Sequence, residues 1–237
     1  MGIINVNLDR GLQEEPFLPT REIHETYVRH SNTPHFHKIQ NEPLAFNIVC
    51  AFEDGMNEDK LRAVRRWLGS ANDFRELYFS SVPYRKYFVM YEGITTLSHT
   101  GLDGYFEIVF RANSPYACSD LIETEVFEEF PLVITNNSDI PIYPEVLIKK
   151  DDDSNIEITN QTTGQVILLS NLQDTETIYI NGDKRTFKSS MRNSFRTNQF
   201  LYFAKGSNTI EVDGDCQIKF RYREKYLPHG GIKDDQG

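Results

Sequence analysis

The sequence predicts a mainly β protein with one helix: an α+β first half followed by an all-β second half. Three observations predict it. Apolar residues alternate with polar ones in short runs along most of the chain, the period of half-buried strands. One segment, residues 57–68, carries a helical period instead. From about residue 126 strand-like runs recur at regular spacing, separated by turn residues, with no helix among them. The 237 residues are therefore expected to form two domains, 1–125 and 126–237, each long enough to bury its own core.

The first forty residues carry three prolines and no sustained period, which reads as an extended arm with one short strand around residues 23–28 and then a loop. LAFNIVCAFE follows, with Phe46, Ile48, Cys50 and Phe52 on one face of a strand. In the helix, Asn57 is a good N-cap, and Glu58 and Asp59 put negative charge in the first turn. Leu61, Val64, Trp67 and Leu68 form the apolar stripe, so Trp67 is expected in the core. Gly69 is expected to stop the helix in a left-handed conformation. Strands resume in RELYFSS, KYFVMYEG and YFEIVFRA.

The second half reads as LVITNN, PEVLIKK, NIEITNQ, QVILLSN, TIYING, RTFKSS, QFLYFA, NTIEVDG and CQIKFRYRE. Turn signals at 151–153, Thr163-Gly164, Asn181-Gly182 and Gly206-Ser207-Asn208 divide them. Eight or nine strands in such a span predict a two-sheet sandwich such as a jelly roll. The stretch from Glu125 to Phe130 reads as a linker or edge segment, and residues 229–237 as a frayed tail.

Composition narrows the function. The net charge of −10 divides as −6 over residues 1–125 and −4 over the rest. No Lys/Arg-rich block exists, which argues against specific nucleic-acid binding. No run of about 18 apolar residues is present, so no membrane span is expected, and the N-terminus lacks the apolar run of a signal peptide. The three cysteines are odd in number and widely spaced; Cys50 and Cys216 read as buried free thiols in a reducing compartment.

Candidate chemistry is sparse. His24, His30, His35 and His37 cluster, and His35 and His37 would share one side of a strand, yet no further ligands accompany them and no metal is expected. Asp151, Asp152 and Asp153 read as a solvated turn, lacking the spacing of a calcium loop. Nucleophile elbows and glycine-rich phosphate cradles are absent. The residues point to no catalytic group and no cofactor. Tyr202, Arg196 and Asn198 are the possible members of a sugar site. A jelly-roll glycosidase would need two facing carboxylates, and no pair can be nominated.

The order of elements resembles the distal tail protein family of long-tailed bacteriophages with non-contractile tails. The stretches that carry the likeness are REIHETYVRH with EPLAFNIVCAFE, then EDKLRAVRRWLGSANDFRELYFSSVPYRKYFVMYEG, then GYFEIVFRANSPYACSD. In the second half LVITNNSDIPIYPEVLIKK, ITNQTTGQVILL, ETIYINGDKRTF and FLYFAKGSNTIEV are similar to the family's strands, with Asn137-Ser138-Asp139 where a glycine turn is usual. The resemblance implies an N-terminal domain that closes a homohexameric ring and a galectin-like C-terminal sandwich. It also implies, as partners, the tail tube protein and the tail-tip hub, fibre or receptor-binding proteins. Such a ring would sit at the virion's tail tip, leave a channel for DNA, and be assembled in the host cytoplasm. The expectation is a structural virion protein and not an enzyme; the alternative is a carbohydrate-binding module for host attachment.

Overall fold

The computed structural model describes residues 3–6, 18–151, 155–191 and 199–228, apart from the side chains of Ile94 and Thr95. Two units emerge, one formed by the chain up to Ala117 together with the residues after Tyr226, and one spanning residues 118–226. Asp152, Asp153, Arg196, Asn198 and the stretch 229–237 lie outside the described residues.

In the first unit the strands are β1 (Ile3–Asn5), β2 (Arg21–Thr26), β3 (His35–Asn41), β4 (Ala45–Phe52), β5 (Arg75–Tyr78), β6 (Lys86–His99) and β7 (Gly104–Ala112), with helix α1 (Glu58–Gly69) between β4 and β5. An antiparallel sheet runs β1-β4-β7-β6, and β5 pairs with β6. Registers such as Ile48↔Ile108 and Cys50↔Phe106 put the even-numbered apolar residues of β4 and β7 on one face. Helix α1 covers that face: Val64 and Leu68 are buried against Cys50, Phe52, Phe106 and Ile108. Phe46 of β4 and Tyr87 of β6 meet edge to face at 4.8 Å, with Phe79, just after β5, beside them.

The helix begins where expected, because the Asn57 side chain accepts a hydrogen bond from the Lys60 N–H at 2.9 Å. Two details depart from expectation. Gly69 is the last helical residue, and Ser70 caps the end in an ordinary right-handed conformation, φ −94°. Trp67 is not core; it is 47% exposed. Successive helical residues turn by about 100°, so Val64 and Leu68 straddle the line facing the sheet and Trp67 falls on the flank. The opening arm also holds more structure than expected: β3, anticipated as loop, pairs with β2.

The second unit is a two-sheet sandwich. After β8 (Ala117–Cys118, at the boundary), its strands are β9 (Ile122–Glu123), β10 (Leu132–Asn136), β11 (Glu145–Lys150), β12 (Ile156–Asn160), β13 (Gln165–Leu169), β14 (Thr177–Asn181), β15 (Thr186–Ser189), β16 (Gly206–Asp213) and β17 (Cys216–Tyr222); β8 and the final β18 (Lys225–Tyr226) belong to neither of its sheets. One sheet runs β10-β16-β12-β13 and the other β15-β14-β11-β17-β9. Strict alternation sends Ile134, Ile158, Ile148, Ile218 and Phe220 into one shared core. Cys50 and Cys216 are both buried on strands, as read from the sequence.

QFLYFA is not a strand, although Leu201 and Phe203 are buried at the expected alternate positions. Its backbone is satisfied largely by side chains. Gln165 Oε1 accepts from the Tyr202 N–H at 2.9 Å, and Asn160 Nδ2 donates to the Tyr202 carbonyl at 2.8 Å. Asn136 Nδ2 donates to the Phe203 carbonyl, and Asn208 both accepts from and donates to the Ala204 backbone. Apart from the two-way backbone bridge between Phe203 and Ile142, buried asparagines thus do the work of a neighbouring strand.

Turn chemistry is similarly local. Ser138 is buried where the resemblance leads one to expect glycine; its hydroxyl accepts from the Lys225 N–H while its own N–H donates to Asn136 Oδ1. Gly182 is required by proximity, since a Cβ there would lie 2.8 Å from the Pro144 carbonyl oxygen and 2.9 Å from Tyr143 Cβ.

Candidate assembly surface

The β2–β3 ribbon stands as a two-stranded sheet of its own. Ile23 lies directly opposite Ile39, and His24 opposite Lys38, before a register shift between His24 and Glu25. All but two of the residues in these strands are exposed. The exposed residues include Ile23, Phe36 and Ile39, and Tyr27 and Val28 continue the exposed apolar run into the turn. Two-stranded ribbons are marginal alone in water and gain stability when an apolar face is covered. Where the ribbon meets the rest of its unit, Glu42 N–H donates to the Thr20 carbonyl at 2.8 Å and Asn41 Nδ2 to the Tyr116 hydroxyl at 2.8 Å.

The clustered histidines belong to this ribbon. His37 Nε2 sits 2.7 Å from Thr26 Oγ1, the rings of His35 and His37 are 5.8 Å apart, and His24 Nε2 is 3.5 Å from Glu22 Oε2. His30 occupies the connecting turn with φ 71°. Among the described residues no group of three or more His, Cys, Asp or Glu side chains is arranged to hold a metal. The Tyr27 phenol is held above its ordinary pKa by its hydrogen bond and charge contact with Glu25.

Elsewhere on the first unit, exposed apolar side chains include Trp67 on α1 and Leu102 in the β6–β7 turn. Such residues are bland singly, but aromatic and aliphatic side chains left in water are the anchors that interfaces use. The ribbon's exposed Phe36 and Ile39 were missed by periodicity, because the surrounding His, Lys, Gln and Asn hide the apolar period. Their signal is the β-rich pair Ile23/Ile39 at matching distance from a turn.

Tyr202, the described member of the possible sugar trio, lies 5.6 Å from the Tyr143 ring, and Arg185 stacks over Tyr143 at 4.2 Å. Asp151 N–H donates to the Asp215 carbonyl at 3.4 Å, as a turn residue would.

A family model described as a phage tail protein N-terminal domain matches residues 1–114, and one described as a phage tail C-terminal domain matches residues 116–222. The chain is 30% identical to the SPbeta prophage-derived uncharacterized protein YomH of Bacillus subtilis strain 168, over 96% of this chain and 93% of that protein. It belongs to this family of phage tail proteins. The tail protein's fold is that of the Dit protein of phage SPP1, described as a paradigm of the hub adsorption apparatus in phages of Gram-positive hosts. The two superpose with a TM-score of 0.66 at 11% identity, over 87% of this chain and 89% of that one. The resemblance to distal tail proteins read from the residues therefore holds for the fold. The helix-bearing first unit and the two-sheet second unit of the tail protein are the elements that carry it.

Proposed function

We propose that this tail protein is a structural subunit of the distal tail. Six copies close a ring that joins the tail tube protein to the tail-tip hub, fibre or receptor-binding proteins. In this reading the first domain, residues 1–125, forms the ring, and the galectin-like sandwich, 126–237, faces outward. The carrying observation is the β2–β3 ribbon, whose Ile23, Phe36 and Ile39 are exposed on a two-stranded element. A closed ring needs each subunit to offer one patch to a different patch of the next, and an apolar ribbon is suited to be one of them. The net charge of −10 suits a channel wall that passes DNA without retaining it. Assembly in the host cytoplasm agrees with thiols kept reduced on Cys50 and Cys216. The protein is read as a scaffold and not a catalyst, on family membership.

Light scattering behind a sizing column, across concentration, tests the ring. Six-fold or stacked-ring masses are expected, with ring particles by negative stain. A strict monomer that stays monomeric with the tail tube protein added overturns it.

A further inference from the structure

The outer face of the five-stranded sheet is a grid, because its registers align. In one row Asn181 stands opposite Glu145, Glu145 opposite Arg221, and Arg221 opposite Glu123. In the next, Lys188 stands opposite Tyr179, Tyr179 opposite Leu147, and Leu147 opposite Lys219. In the third, Thr177 stands opposite Lys149 and Lys149 opposite Gln217. A depression of about 440 Å³ lies over the second and third rows, with Val126 and Ser190 also in its lining.

The first row is neutralised within itself and by Lys219 of the second. Asn181 Nδ2 donates to Glu145 Oε1 at 3.0 Å, Arg221 lies 3.5 Å from Glu145 and 3.8 Å from Glu123, and Lys219 lies 2.5 Å from Glu123. The Lys219 hydrogen bond and charge hold the Glu123 carboxyl below its usual range. The depression is different. Lys149 and Lys188 are exposed, and neither has an acidic partner among the described residues. Tyr179 lies between their strands, and its hydroxyl accepts from Asn181 Nδ2 two residues along the same strand at 3.0 Å. Tyr179 and Leu147 are half-buried, and both line the depression.

We propose that this groove binds an anionic saccharide chain, its sugar rings resting on Tyr179 and Leu147 and its acidic groups paired with Lys149 and Lys188. Uncommitted ammonium groups on a protein of net charge −10 select for negative charge locally. They sit two strands apart, roughly 10 Å, which suits repeated charges on a polymer better than one small anion. Thr177, Ser190 and Gln217 supply hydroxyl and amide groups for sugar hydroxyls. The volume of about 440 Å³ is that of a ligand cleft, within the range of about 300–1,000 Å³. The proposal rests on the chain's place in a phage tail only for the ligand's source, the bacterial envelope, and is independent of ring closure.

Calorimetric titration of the full chain tests it with an oligogalacturonate, a glycerol phosphate oligomer, neutral maltohexaose, inorganic phosphate and an oligoglutamate peptide. Saturable binding of at least one acidic glycan probe is expected, weakened by salt, with maltohexaose and phosphate silent. K149E/K188E, and the milder K149M/K188M, should weaken it on the order of tenfold or more, while K184E, outside the groove, leaves it unchanged. Absence of binding by both acidic glycan probes overturns the proposal, as does equal loss in K184E or no loss in the groove variants. Preference for oligoglutamate also overturns it, and assigns the groove to an acidic protein partner. Neither result bears on the light-scattering masses, so failure here and failure of the ring are distinguishable.

Discussion

Ile23 and Ile39 face each other across the β2–β3 ribbon, and both stay in water, at 59% and 49% exposed. Cross-strand aliphatic pairs ordinarily stabilise a sheet by being covered as well as by touching. Here the contact is made and the cover is missing from the chain's own described residues. I23D/I39D should abolish the large species seen by light scattering while shifting the melting temperature of the chain by no more than ~2 °C. Assembly that proceeds unchanged in this variant would remove the ribbon from the interface.

Trp67 and Leu68 are chain neighbours with different fates. Leu68→Ala empties a buried position between α1 and the sheet, and should cost about 2–5 kcal/mol in urea unfolding. Trp67→Ala truncates a larger side chain that is half in solvent, and should cost under about 1.5 kcal/mol. Its effect should appear instead in assembly. Equal losses for the two would place the tryptophan in the core after all.

Burial pushes the Cys50 thiol up to about 11. At pH 8 the thiolate is therefore scarce, and a thiol reagent should modify Cys50 only as fast as the first unit opens. A raised folded pKa favours the neutral form, so this group's stabilisation is complete below the unfolded value near 9.0 and is lost as pH rises toward 11. Unfolding midpoints measured from pH 8 to 11 should fall less in Cys50→Ser, once its lower baseline stability is subtracted. Rapid modification of Cys50 in the native protein at pH 8 contradicts this.

Glu123 has the opposite sign. Lys219 holds its carboxyl below the usual range, so the pair stabilises the native state above the unfolded pKa and weakens as pH falls through the folded one. Lys219→Met should raise the Glu123 pKa in an NMR titration, with Arg221 left as the lesser cation. An unmoved titration curve would mean that the contact does not persist in solution.

Gly182→Ala should destabilise the second unit by about 1–3 kcal/mol, because the added methyl would lie 2.8 Å from the Pro144 carbonyl oxygen and 2.9 Å from Tyr143 Cβ. Asn181-Gly182 was legible as a turn signal, but this reason for the glycine was not. The sequence pairs it with the hairpin; the structure shows it pressed against a third segment.

Local order determined what the sequence could show alone. Asn57, the acidic first turn and the recurrence of Val64 and Leu68 define α1 without reference to anything distant, and period-2 alternation defines the strands of the sandwich. These follow from backbone geometry, which a few neighbouring residues set. What only the tertiary structure decided depends on partners far along the chain. Trp67 is exposed because the sheet is met by the Val64–Leu68 line of the helix. Leu201 and Phe203 are buried without a strand because a single backbone bridge from Phe203 to Ile142 and asparagines from β10, β12 and β16 take the hydrogen bonds of residues 202–204. Lys149, Lys188 and Tyr179 share a groove because three registers align across strands distant in the sequence. Periodicity says which residues share a face; what covers that face is settled by the rest of the fold.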